Sequence, residues 1–448
     1  MRIGVELKEI PSKWFNVVPD LDFTVPPLMS QSGYPVSYHD LASLAPSSII
    51  DQELDKVTRE IPIPGEVSSA YADWRPTSLF RADRLEKTLD TPARIFFKYE
   101  GTDITGGHEM NTAVPQAYYA AKDKGVKCMV TATANGEWGI SLAAACNRFG
   151  LECKVYMVRS NYEQKPQGRY VMELLGAEVI ASPGNTTRTG KKILAENPSS
   201  PGTIAIALSE AFEYAQTKDD TKFAWGAVMN HVLLHQSIIG LESRQQLQKA
   251  GVRPDIVIGA VSGGSGFGGL VLPFFREREQ KPRVIAVETS VAPSLSKGRY
   301  AYDYGDAEGL FPMLKMYTLG HSFVPPGIIA GGMRYHGISP LISALYKEKQ
   351  IEAKTYTQHQ AFEAAVGFAR SEGLIASPKT AYAIKAVIDE ALICRGKKER
   401  KNILFLFDAN SNLDIVAFKE FVDGALQEQL TPDDDISLAL SKLPQIPE

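Results

Sequence analysis

From Arg94 onward the chain alternates runs of branched and aromatic residues with runs of helical periodicity, and this alternation restricts the fold more than any other feature. "RIFFKYEG" reads as a strand, "NTAVPQAYYAAKDKG" as a helix, "KCMVTATANG" as a strand, "WGISLAAACNRFG" as a helix and "ECKVYMVRS" as a strand. "KPQGRYVMELLGA" and "EVIAS" continue the pattern. A single long helix is expected over "GAVMNHVLLHQSIIGLESRQQLQKAG", crossing between domains. The alternation then resumes in "PDIVIGAVSGGSGFGGLVLPFFRERE" and "RVIAVET" and closes in "KNILFLFDANSNLDIVAF". Strands separated by helices pair in parallel, with the helices covering the sheet faces, so the fold class is α/β.

With 448 residues the chain is long for one domain, and two packed α/β domains with a cleft between them are expected. Residues 1–93, rich in proline and turn signals but interleaved with aromatic and branched residues, read as a wrapping arm packed on the large domain. Residues 94–244 form the expected smaller, mobile domain and residues 245–448 the large one, which carries a glycine-rich turn.

A formal charge of −4 and 22% charged residues give no basic excess to attract nucleic acid or an acidic membrane surface. No apolar run of about 18 residues is present, so a cytoplasmic protein is expected. The four cysteines, Cys128, Cys146, Cys153 and Cys394, have neither C-x-x-C spacing nor the density of a disulfide scaffold. They are expected in the core, and no metal site is expected.

Four stretches have the chemistry of a site. In "SGGSGFGG", between a strand and a helix, Ser262, Gly263, Gly264, Ser265 and Gly266 form either an anion cradle of backbone N–H groups or a turn needed only for close packing. "GGHEMN" places His108, Glu109 and Asn111 at a strand's carboxyl end, where open α/β sheets bind ligands. The simpler reading makes Glu109 a first-turn acid that suits the helix dipole. "TATANGEWG" brings Thr133, Asn135, Gly136 and Glu137 to another strand-to-helix turn, and "FLFDANSNLD" leaves Asp408 to cap the next helix or to face the cleft.

Taken together these stretches resemble the tryptophan synthase β-chain family, in its longer second type. "RPTSLFRADRLEK", "LKMYTLGHSFVPPGIIAGGMRYHG" and "EGLIASPKTAYAIKAVIDEAL" extend the resemblance over most of the chain. It implies a fold-type-II pyridoxal-phosphate enzyme fold, two three-layer α/β domains with the active-site cleft between them, and a homodimer.

The departures from the family pattern lie in the pocket. The family's G-S-H-K-x-N carries the lysine that bonds pyridoxal phosphate, and Glu109 stands at that position. The glutamate expected to act on indole aligns with Ala132, and Glu137 replaces a glutamine. The family's G-G-G-S-N turn is Ser262-Gly263-Gly264-Ser265-Gly266 here, a cradle largely kept, and its S-G-H-G loop aligns with Asp408-Ala409-Asn410-Ser411. A carboxylate forms no imine, so no cofactor is expected, with noncovalent pyridoxal phosphate as a minor reading. The expected function is therefore a pyridoxal-phosphate-independent lyase, cyclase, isomerase or carbon–carbon bond-forming enzyme acting on a small metabolite with one anionic group. Glu109 is its expected general base, with His108 or Asp408 as partner and Glu137 beside them. The alternative is a pseudoenzyme that binds a ligand or a partner subunit.

Overall fold

The computed structural model describes residues 2–3, 9–164, 166–276, 281–410 and 414–445. Its larger sheet has seven strands. In spatial order they are β1 (Arg2–Ile3), β2 (Ser78–Arg81), β3 (Arg94–Tyr99), β11 (Asn402–Phe407), β8 (Ile256–Ala260), β9 (Arg283–Thr289) and β10 (Glu352–Tyr356). The β1–β2 and β2–β3 pairs are antiparallel, and the remaining pairs are parallel. The smaller sheet is wholly parallel, in the order β6 (Glu178–Ser182), β5 (Glu152–Val158), β4 (Cys128–Thr133) and β7 (Thr221–Phe223).

Residues along the large-sheet strands alternate between two cores. Ile403, Phe405 and Phe407 face one side, where Phe97 and Phe368 lie with ring centroids 5.6 Å apart. Leu404 and Leu406 face the other side, with Val257 and Ala286. Because both faces are covered, these strands read as unbroken hydrophobic runs rather than alternating ones. All four cysteines are buried and free, as expected. No helix among the described residues is long and apolar enough to cross a membrane.

The structure corrects two expectations about the chain's organisation. The arm is more than a wrapping, since β1 and β2 extend the large sheet; β3 also pairs with β11 there, so the small domain does not begin at residue 94. The expected long helix is two helices, Asn230–Gln236 and Ile238–Lys249, meeting at Ser237. The Ser237 hydroxyl accepts a hydrogen bond from the Phe15 N–H at 2.9 Å, which ties the arm to the break.

Candidate active site

Four strand ends converge on one cavity of about 200 Å3. β3 leads through a loop into α1 (Met110–Lys122), β4 into α2 (Glu137–Phe149) and β8 into α3 (Ser265–Val271). β11 runs out at Asp408, which lines an adjoining recess. Carboxyl ends of parallel strands with helix N-termini above them are where such sheets bind ligands.

The β3–α1 loop is held by Asp103, whose Oδ1 accepts from the Thr105 N–H at 2.8 Å and the Thr105 hydroxyl at 2.6 Å. Burial pushes the Asp103 carboxyl up to about 7. At Gly106, where φ is +71°, a side chain would run into the Asn410 amide, so the loops after β3 and β11 close on each other. The Asn410 N–H donates to the Gly106 carbonyl at 2.8 Å and completes that closure.

This closure puts His108 and Glu109 into the cavity wall. The His108 ring is buried and both its nitrogens lack hydrogen-bond partners, with Glu109 Oε1 3.6 Å from Nε2. Glu109 Oε2 is likewise buried without a donor, and although Glu109 stands at the N-cap of α1 it makes no side-chain cap bond. The helix-dipole reading of Glu109 therefore does not account for where its carboxylate points. Gly266 lies against His108, and a Cβ there would sit 2.8 Å from Nε2.

Residues 262–266 line the cavity together with Thr133, Asn135 and Glu137. Gly264 has φ +100° and caps α3, whose first-turn N–H groups have no carbonyl partner within the helix. Beside this turn the Ser339 hydroxyl is buried and unpartnered. Two expected ligand residues do not line the cavity. Gly136, with φ +108°, packs on Gly168, where a Cβ would lie 3.0 Å from the Gly168 Cα. Asn111 is fully buried, accepts from Arg75 Nη1 at 2.7 Å and donates to Glu100 Oε2 and Gln236 Oε1 at 3.2 Å each. Its part is structural: Gln236 Nε2 in turn donates to the His108 carbonyl at 3.1 Å and steadies the loop.

Opposite Glu109 the wall contains a group that the sequence reading did not single out. Lys379 is the second residue of α4 (Pro378–Lys397), after the Ser377 cap, and its Nζ lies 2.7 Å from Asp408 Oδ2. Asp408 is paired rather than free: its Oδ1 also accepts from the hydroxyls of Thr380 and Ser377. Burial pushes the Asp408 carboxyl up, but Lys379, His108 and these hydrogen bonds bring it below its ordinary value. Burial works against the Lys379 charge, yet Asp408, Glu109 and Glu137 outweigh it and hold the ammonium above its ordinary range. Glu137 is pushed up to about 8, by burial first and then by Glu109, Asp414 and Asp408. The sequence signal for Lys379 was a cation in the first turn of a helix, where the dipole disfavours it.

The cavity is also lined by Leu208, Phe212, Trp225 and Phe311, and by Arg334 and Tyr335. An apolar chamber with a few convergent polar groups is the usual form of a small-molecule site.

The match to known proteins is as extensive as this geometry suggests. Residues 71–408 match the family of pyridoxal-phosphate dependent enzymes. The chain belongs to that family. It is 48% identical to tryptophan synthase beta chain 2 of Aeropyrum pernix over 434 residues, 95% of this chain and 96% of that one. The same protein of Aquifex aeolicus is 48% identical, covering 94% and 98%, and that of Thermotoga maritima 48%, covering 93% and 100%. A fungal L-serine ammonia-lyase from Rhizomucor miehei, 15% identical with a TM-score of 0.59, covers 78% of this chain and 98% of its own and shares the fold.

These similarities overturn the expectation of a cofactor-independent enzyme or a pseudoenzyme. Membership of a pyridoxal-phosphate dependent family, with near full-length relatives named tryptophan synthase beta chain, implies the cofactor. Position 109 carries no amine, whereas the fold brings Lys379 of α4 into the same cavity. The residues present fit the cofactor. The glycine turn 262–266, unpartnered polar atoms at His108 and Ser339, and the Lys379–Asp408 pair all border the cavity and its recess.

Proposed function

We propose that this cavity holds pyridoxal phosphate and performs chemistry of the tryptophan synthase β type, joining an amino-acid substrate such as serine to an indole-like ring. The observation that supports the reading best is that one cavity is lined by the glycine turn 262–266, by Leu208, Phe212, Trp225 and Phe311, and by Lys379, Glu109 and Glu137, with Asp408 in the adjoining recess. In this reading Glu109 stands where the family pattern G-S-H-K-x-N has its lysine.

The N–H groups of residues 263–266 at the start of α3 receive the phosphate, with the Ser339 hydroxyl and the His108 ring beside them. When bound, pyridoxal phosphate supplies an electron-withdrawing ring that stabilises negative charge on the substrate's α carbon. Leu208, Phe212, Trp225 and Phe311 take a flat aromatic ring and exclude water from around it. Glu109 Oε2, lacking a donor, accepts a hydrogen bond from a substrate ammonium or ring N–H. Glu137, held in its neutral form up to about pH 8, keeps a proton at the cavity wall for exchange with a substrate atom.

The test is turnover of purified protein with pyridoxal phosphate, serine and indole, read by chromatography. Cofactor-dependent formation of tryptophan is expected. No product, together with an absorbance spectrum unchanged by added cofactor, overturns the reading.

A further inference from the structure

We propose that Lys379, entering the cavity from α4, is the amine to which this chain attaches the aldehyde of pyridoxal phosphate, in place of a lysine at position 109. The inference rests on the cofactor reading above and adds to it a residue and a direction of approach.

Lys379 is the one lysine among the described residues that line the cavity and its adjoining recess. Lys98, the other deeply placed lysine near these strands, is wholly buried and donates to Glu242 at 2.7 Å, to Gln246 at 3.0 Å and to the Thr77 carbonyl at 2.9 Å, away from the cavity. The Lys379 side chain is 22% exposed, enough for a ligand in the cavity to reach it. Its position at the N-terminus of a helix costs stability, because the dipole repels a cation there, and helix formation gives no reason for it. The surroundings compensate: Asp408 holds the ammonium at 2.7 Å, and Glu109 and Glu137 act on it through space. Relative to the family pattern the carboxylate is at position 109 and the amine is on the facing element.

The attachment balances without any further reactant. The Lys379 ammonium passes one proton to a neighbouring carboxylate, and its nitrogen forms a bond to the aldehyde carbon. The carbon–oxygen bond then breaks as the oxygen leaves in water, and the proton returns to the nitrogen. Ammonium plus aldehyde yields protonated imine plus water, with no oxidation or reduction. Glu109 is the group placed to take the proton, and Asp408 keeps the amine in the cavity.

The experiment incubates the full-length protein with pyridoxal phosphate, reduces it with borohydride, digests it and maps the pyridoxyl group by mass spectrometry. Equilibrium dialysis measures cofactor retained before reduction. The expected label is on the peptide that contains Lys379, and it is lost in Lys379→Arg, which keeps a cation beside Asp408 but forms no imine. A label on another lysine, or an unchanged label in Lys379→Arg, overturns the proposal. Retention of cofactor without any borohydride label also overturns it while leaving the cofactor reading standing. No retained cofactor at all removes both. Mapping on the unaltered protein decides the question even if the variant fails to fold.

Discussion

At the scale of single residues the cavity is governed by carboxylates that share too few counter-charges. Glu109, Glu137 and Asp408 border a region with one lysine, and Asp408 takes most of that lysine's charge in a direct pair. Burial and the neighbouring acids then leave Glu137 protonated up to about pH 8, against 4.5 for an ordinary glutamate. Between those two values the folded protein binds a proton that the unfolded chain has lost. Stability therefore falls as pH rises through that window. Glu137→Gln removes the titration, so its melting temperature is expected to gain on the parent's between pH 5 and pH 8.5. Melting curves of both proteins at the two pH values check this, and an equal difference at both ends removes the assignment.

At the scale of elements, the loop that presents His108 and Glu109 rests on a buried ion network. Arg75 donates to Glu242 and Glu100 at 2.8 and 2.9 Å, and Lys98 donates to Glu242 at 2.7 Å, all with side chains at 0 or 1% exposure. Asn111 joins this network to Gln236, which holds the His108 carbonyl. Breaking one member leaves buried cations uncompensated, and Glu242→Ala is expected to cost about 3–5 kcal/mol. A urea denaturation midpoint unchanged from the parent's would refute that cost. The same network explains why Asn111 looked like a ligand residue. It is the second residue of α1, close to the cavity in sequence, but its amide bonds with Arg75, Glu100 and Gln236 in the network.

At the scale of the whole molecule, two sheets place the carboxyl ends of their parallel strands around one cavity, and a ligand held there bridges elements from both. Because the unfolded chain has no such cradle, pyridoxal phosphate at about 100 times its Kd is expected to add about 2.7 kcal/mol to stability. Thermal unfolding with increasing cofactor should show a rising midpoint, with inorganic phosphate raising it less. A midpoint indifferent to pyridoxal phosphate would contradict the cofactor assignment.

Much of this molecule was legible before any coordinates. Hydrophobic runs such as "NILFLF" bounded by turn signals read as strands covered on both faces, and glycines between a strand and a helix read as a tight turn, because both follow from local geometry. The break at Ser237 and the membership of β3 in the large sheet were not legible, since contacts with Phe15 and pairing with β11 are set far along the chain. Within the site, residue order established that position 109 is a carboxylate and that residues 262–266 form a glycine-rich turn between strand and helix. It left open whether the cavity held an amine, because an ion pair between Lys379 and Asp408 facing Glu109 exists only once β3, β11 and α4 converge. Amino-acid order dictates which groups are available, and tertiary packing alone decides which of them share one low-dielectric space.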